Sequence, residues 1–261
     1  MSQASAQRPA KSTLITGATG GIGGALALSY AGPHAKIILH GRNAIRLQEL
    51  ADECRRRGAE VITANFDIRD HDTLRTWLQN MDQTHTLDLV FANAGVNINM
   101  GTDSQGEPWE DIDALIDVNI KAAMATLHAV LPAMRKRKSG QIALISSLAA
   151  WRGLPETPSY SASKAAVKAY GEAMRDAVAA DGVKINVVMP GYVHSQMAYD
   201  MPGPKPFMWS ADKAARVIKK GLASNRARIS FPFPLNLGCW ILAGIHPAVS
   251  GWILKRLNYG H

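Results

Sequence analysis

Cysteine is scarce in this chain: 261 residues hold only Cys54 and Cys239. The two lie far apart in no metal-ligand spacing, which excludes a cysteine-built metal site and suits a reducing compartment. Concentrated charge is also missing. The net charge is +8, yet there is no long basic block, and the densest run is Arg135-Lys136-Arg137-Lys138. That run reads as the solvated end of a helix, and without interleaved aromatic residues it does not call for a nucleic-acid partner. Met1 to Ala10 is short and polar with no apolar centre, so it is not a signal peptide. No run approaches the roughly 20 apolar residues of a spanning helix. No repeat or low-complexity linker is found. A cytoplasmic protein is expected, with a reservation about the C-terminal tail.

What remains is an ordinary globular composition, 47% hydrophobic and 19% charged, long enough for one large α/β domain. Apolar runs of strand type fall at Thr13–Thr16, Lys36–His40, Glu60–Ala64, Leu87–Ala92, Gln141–Ser146, Lys184–Met189 and Arg228–Phe231. Most are apolar on both faces, as covered parallel strands are. Helical patterns lie between them at Ile22–Ala31, Ala44–Arg57, Asp70–Met81, Trp109–Arg137, Ser159–Ala180 and Ala211–Ala223. The alternation implies βαβ units and a doubly wound parallel sheet. One domain is expected over residues 11–231, preceded by a polar extension at 1–10 and followed by an apolar tail at 232–261.

The first strand runs into Thr16-Gly17-Ala18-Thr19-Gly20-Gly21-Ile22-Gly23, which opens a helix. Glycines let the backbone approach a pyrophosphate, and the helix N-terminus offers amides and a positive dipole end. The second strand ends at His40-Gly41-Arg42 with no acid to hold ribose hydroxyls. Arg42 offers a planar fork suited to a 2′-phosphate, and Arg46 lies one turn on, so NADP is expected over NAD. Asp67-Ile68 and Asn93-Ala94-Gly95 follow the third and fourth strands, at the sheet end where open α/β folds bind ligands. Asp67 is read either as an adenine contact or as a turn residue; Asp70 is the better helix cap.

Tyr160-Ser161-Ala162-Ser163-Lys164 places a phenol and an ammonium on one helical face. A free tyrosine has a pKa near 10, and a neighbouring ammonium lowers it, so the phenol exchanges a proton with substrate.

Together these motifs resemble the classical short-chain dehydrogenase/reductase family. The match runs from Thr16-Gly17-x-x-x-Gly21-Ile22-Gly23 through Asn93-Ala94-Gly95, Asn119, Ser147 and Tyr160-x-x-x-Lys164 to Pro190-Gly191, in the family's order. The resemblance implies a single Rossmann-type domain with a seven-stranded parallel sheet, interconverting alcohols and carbonyls with NAD(P). It makes Tyr160 the general acid or base, and has Lys164 lower its pKa and hold the nicotinamide ribose. Ser147 would hydrogen-bond the reacting oxygen, with Ser146 as the neighbouring alternative. Asn119 would hold a proton-relaying water. Cofactor contacts are implied at Gly17, Thr19, Gly20, Gly21, Ile22, Gly23, Arg42, Asn43, Asp67, Ile68, Asn93, Ala94, Gly95, Tyr160, Lys164, Pro190, Gly191, Val193 and Ser195. Two departures stand out. Ser195 replaces the family's threonine, and Gly20 stands where many NADP-preferring relatives carry a basic residue.

Residues 196–209 are expected to form a substrate lid with flexible Met197, Met201 and Met208. Trp151 and Leu154 are candidates for the same pocket, and Asn97 and Asn99 for its opposite rim. The expected partner is a small molecule, apolar or polar: an acyl-carrier-linked ketone, a free hydrophobic ketone or a sugar derivative. Relatives pair through the helices at Trp109–Arg137 and Tyr160–Ala180, so a homodimer or homotetramer is expected. In the tail, His246-Pro247 divides two apolar segments too short to span a bilayer. Either they cover the substrate mouth or a subunit contact, or they lie shallowly in a membrane surface with Trp240 and Trp252 at the interface. A non-catalytic NADP-binding regulator on the same fold is the alternative function, and four intact tetrad residues argue against it.

Overall fold

A computed structural model describes residues 12–100, 106–201 and 203–257. The polar extension expected at 1–10 and Pro202 of the expected lid lie outside the described residues. Seven strands form one parallel sheet: β1 (Ser12–Ile15), β2 (Lys36–His40), β3 (Glu60–Ala64), β4 (Leu89–Ala92), β5 (Gly140–Ile145), β6 (Val183–Pro190) and β7 (Arg228–Phe231). Their order is β3-β2-β1-β4-β5-β6-β7, the single-domain, doubly wound Rossmann-type arrangement that was expected. Residues of period two feed opposite faces. Ile15, Leu39 and Phe91 join one core with helices α1 (Gly21–Tyr30), α2 (Ala44–Arg56) and α8 (Ala211–Ala223). Leu14, Ile38 and Val90 join the other with α3 (His71–His85), α5 (Ala122–Lys136) and α6 (Pro158–Ala177).

Helix starts follow local chemistry. Asn43 accepts from Arg46 N at 3.0 Å to cap α2, and Asp70 accepts from Thr73 N at 3.0 Å to cap α3. Helix α3 runs on to His85, four residues past the expected end. Strand β4 begins at Leu89, not Leu87. Leu87 N donates to Asp82 and its carbonyl accepts from Arg137, so its backbone groups are taken by side chains rather than by the sheet.

The long pattern at Trp109–Arg137 is not one regular helix. It comprises α4 (Trp109–Ile116), a π-helical turn (Asp117–Lys121) and α5. Trp109–Lys136 spans 28 residues with hydropathy 1.4, so one run does have the length and composition to cross a membrane, contrary to expectation. Its most apolar stretch is 56% buried within the domain, as in a core helix. The basic run that ends it is pinned to the domain: Arg137 forks onto buried Asp82 at 2.7 and 2.8 Å, and Arg135 pairs with Asp181.

Of the faces expected to pair with a second subunit, Leu115, Ala122, Ala123, Leu127 and Val130 are already in the chain's own core. On α6, Ala169, Ala173 and Ala177 stay exposed. The tail forms α9 (Leu235–Gly244) and α10 (Pro247–Arg256), and α9 contacts β7.

Candidate active site

The order of the sheet reverses between β1 and β4, and the loops leaving their carboxyl ends open a crevice. A cavity of about 760 Å³ occupies it and continues past β5 and β6 to the tail helices. Among the described residues its lining carries Arg42, Arg46, Arg152 and Lys164 and no aspartate or glutamate.

The glycine loop is shaped by close approach. Gly17 has φ +64°, and a Cβ there would lie 2.7 Å from Ala94 Cα. A Cβ at Gly23 would lie 2.5 Å from the Gly17 carbonyl oxygen. Asn93 ties the loop down: its Nδ2 donates to the Thr16 and Gly17 carbonyls at 2.9 and 3.0 Å, and its N donates to Thr16 Oγ1 at 3.0 Å. Helix α1 begins at Gly20 without a side-chain cap or an acid in its first turn, leaving its amides open to an anion.

At the end of β2, Gly41 has little room for a side chain. A Cβ would lie 2.8 Å from Thr19 Cγ2 and 3.2 Å from Thr19 Oγ1. Beyond it, exposed Arg42 and Arg46 border the cavity along with Asn43. His40 lines this end too. It was not among the expected site residues, because an inward-facing strand histidine looks like any core polar group. Its Nε2 bonds the Phe66 carbonyl at 3.1 Å, and burial pulls its pKa down.

The expected site residues do not all converge. Thr19, Gly20, Gly21, Ile22, Ile68, Ala94, Gly95, Pro190, Gly191, Val193 and Ser195 line the cavity. Asp67 does not; its carboxylate grips Arg69 at 2.6 and 2.9 Å, which holds its pKa down at about 2. Ser195 caps α7 (Gln196–Asp200) by accepting from Ala198 N at 3.2 Å. His194 is exposed and bonds Tyr199.

Of the four expected catalytic residues, Ser147, Tyr160 and Lys164 line the cavity and Asn119 does not. Burial raises the pKa of the Tyr160 phenol above its ordinary value, and the neighbouring Ser147 hydroxyl opposes this. That direction is opposite to the one expected from a neighbouring ammonium: Lys164 Nζ sits 5.6 Å from the ring centroid. Lys164 Nζ donates to the Ile145 carbonyl at 3.1 Å, and burial lowers its pKa to about 8. Gly95 makes room for it, since a Cβ there would lie 3.1 Å from Nζ.

Ser146 and Ser147 separate by role. Ser146 Oγ donates to the Lys164 carbonyl at 2.7 Å, anchoring α6 to β5, while Ser147 faces Tyr160. Asn119 sits in the π turn, 1% exposed. Its Oδ1 accepts from Val96 N at 2.8 Å, and its Nδ2 donates to the Val96 carbonyl and to Ser163 Oγ at 2.9 and 3.0 Å. The side chain's donors are therefore committed to joining the β4 loop to α6.

Toward substrate, Met197, Met201 and Leu154 line the cavity, whereas Trp151, Asn97 and Asn99 do not. The Trp151 ring centroid lies 4.7 Å from Lys168 Nζ and 4.9 Å from Arg228 Cζ. The tail reaches the cavity, one of the placements read from its sequence, and Arg152 is an unforeseen addition to the wall. The tail supplies Leu235, Gly238, Cys239, Leu242, Leu254 and Leu257. Arg152 also lines the cavity, and its Nε donates to Ser250 Oγ of α10 at 2.9 Å. The one sequence signal for Arg152 was a lone charge in an apolar stretch.

A doubly wound sheet whose crevice is lined by a tyrosine, a serine and a buried lysine defines a dinucleotide-dependent oxidoreductase class. The chain belongs to the short chain dehydrogenase family, whose model matches residues 11–203. It is 36% identical over 226 residues to an uncharacterized oxidoreductase of Myxococcus xanthus, covering 86% of this chain and 88% of that one. Among solved structures it is similar to a short-chain dehydrogenase from Sphingobium yanoikuyae in complex with NADPH. The TM-score is 0.79 at 22% identity, covering 93% of this chain and 94% of that one. It is also similar to a short chain dehydrogenase from Mycobacterium paratuberculosis bound to NAD, with TM-score 0.73 at 24% identity, covering 84% and 94%. At these identities the two structures speak for the fold.

Proposed function

We propose that this oxidoreductase is an NADP-dependent carbonyl reductase or alcohol dehydrogenase acting on a small molecule with a largely apolar body. The observation that carries the reading is the placement of Ser147, Tyr160 and Lys164 together in the lining of a cavity that runs from the glycine loop to an apolar wall. The glycine loop fits a dinucleotide, because close backbone approaches leave its surface bare of side chains and the α1 amides lack a cap. Arg42 and Arg46, with no carboxylate in the lining, suit an added 2′-phosphate.

The nicotinamide, when bound, supplies or accepts the hydride. The rest is the work of this chain's side chains. In reduction, the Tyr160 hydroxyl donates its proton to the carbonyl oxygen, and Ser147 Oγ donates a hydrogen bond to the same oxygen as charge develops on it. Burial keeps the phenol protonated at neutral pH, its state as a donor. Lys164, largely an ammonium at pH 7, places positive charge beside the phenolate that remains. Met197, Leu154 and Leu242 keep water from the reacting atoms.

The test is NADPH and NADH oxidation with three carbonyl panels: β-ketoacyl thioesters, free hydrophobic ketones and sugar ketones. Turnover of hydrophobic ketones with NADPH is expected. Turnover confined to sugars, or no turnover of any panel, overturns the reading.

A further inference from the structure

The tail helices are apolar on both sides. Leu235, Cys239, Leu242 and Leu254 face the cavity. On the outside, Trp240 is 56% exposed, Ile241 48%, Val249 49% and Trp252 59%. Of the eleven exposed large hydrophobics among the described residues, seven lie from Phe233 to Leu257. So many in one short segment is more than scattered surface apolarity.

Residues 213–261 contain eight lysines and arginines and no aspartate or glutamate. Those eight equal the net charge of the whole chain, so residues 1–212 sum to zero. The tail itself carries two cations, Lys255 and Arg256, and no acid; the other six cations after residue 212 lie on α8 and around β7, where Arg228 pairs with Glu172. Lys255 and Arg256 end α10, both exposed, and the Arg256 guanidinium lies 5.0 Å from the Trp252 ring centroid. Each tail helix has ten residues, about 15 Å of length, far short of a bilayer's hydrocarbon core.

We propose that the outer face of α9 and α10 docks in the plane of an anionic lipid surface. The tryptophans enter the interface and the two cations meet lipid headgroups. A second copy of this chain fits less well. A two-fold contact would set one carboxylate-free surface against another, leaving Lys255 and Arg256 facing like charge. Only one layer of helix separates the docked face from the cavity, so an apolar substrate passes from lipid into the site along the tail. That last point rests on the proposed substrate class; the docking does not.

The experiment is sedimentation of the full chain with phosphatidylcholine vesicles, with and without phosphatidylserine, at low and high salt. Three proteins are compared: the unaltered chain, Trp240→Ser/Trp252→Ser, and Lys255→Glu/Arg256→Glu. None of these four residues lines the cavity. The unaltered chain is expected to sediment with phosphatidylserine vesicles and to be released by salt. Each double variant is expected to bind roughly tenfold more weakly or worse, with unchanged turnover of a water-soluble carbonyl. Protein left in the supernatant at low salt overturns the docking, as does binding that ignores the tryptophan substitutions. So does a lipid-free dimer, seen by light scattering, that Trp240→Ser/Trp252→Ser splits, because a second copy would then be the occupant. Vesicle binding with no carbonyl turnover would refute the function while leaving the docking intact.

Discussion

Lys164→Met keeps the length and apolar stem of the side chain and removes its charge. Lys164 is 4% exposed, and burial lowers its pKa from 10.5 to about 8. Each tenfold step is worth about 1.4 kcal/mol, so keeping this ammonium in the folded protein costs about 3 kcal/mol relative to the unfolded chain. The variant loses the bond from Nζ to the Ile145 carbonyl, which contributes about 1.5–3 kcal/mol as a charged donor. A net gain of about 1 kcal/mol at pH 7 is therefore expected, together with loss of activity. The sign of the pH dependence is fixed. The folded pKa lies below the unfolded one, so between pH 8 and 10.5 the unfolded chain binds the extra proton. The penalty is complete below pH 8 and vanishes as pH rises to 10.5. The variant's advantage should shrink by about 3 kcal/mol across that window and change sign. Urea unfolding of both cofactor-free proteins at pH 7, 8, 9 and 10 measures it. A variant less stable than the parent at pH 7, by a margin constant to pH 10, refutes the account of Lys164 as a desolvated ammonium.

Tyr160→Phe should reduce turnover by at least about 100-fold, the usual range for losing a general acid, with cofactor affinity nearly unchanged in titration by fluorescence; near-normal kcat would remove the phenol from the mechanism. Arg42→Asp should reverse an initial preference for NADPH in kcat/KM, since a charged contact to phosphate is worth about 1.5–3 kcal/mol; equal use of both cofactors by the parent protein contradicts this. Because burial raises the Tyr160 pKa, alcohol oxidation should quicken as pH rises through the alkaline range while the phenol loses its proton; a rate already at its plateau at pH 7 contradicts it. The open face of α6, at Ala169 and Ala173, should seat a second copy, so Ala169→Arg should halve the mass seen by light scattering; a parent protein that is already monomeric at micromolar concentration rules this out.

The sheet was legible because each strand announces itself twice, by an apolar run and by the helical pattern that follows. Leu14 and Ile15 face opposite cores, as strands covered on both sides require. Tyr160 and Lys164 were legible because one helical turn fixes their relative positions, whereas Ser147 came from the family resemblance, with its place after a strand in agreement. The π turn at Asp117–Lys121 was not, because one extra residue per turn leaves the 3.6-residue pattern nearly intact. Asn119's role followed from the same blind spot: its partners, Val96 and Ser163, lie 23 and 44 residues away. The direction of the Tyr160 pKa was misjudged because one-turn spacing says nothing of how deeply the pair is buried. Asp67 was left open between two readings, and a neighbour two residues on, Arg69, takes its carboxylate. Arg152 and the tail walls depend on how the last thirty residues fold back, which no local pattern encodes.

The crowding of Gly41 against Thr19 bears on how cofactor preference changes through descent or by engineering. Thr19 is branched at Cβ, and both branches lie close to the would-be side chain, at 2.8 and 3.2 Å, so a side chain at 41 requires Thr19 to turn or shift. Shrinking position 19 removes that obstacle, which couples the two positions. Exposed position 42 has no such neighbour to displace. On the proposed NADP reading, selections for NAD use begun from this sequence should change position 42 more readily than position 41, with acids at 41 favoured where Thr19 has become glycine or alanine.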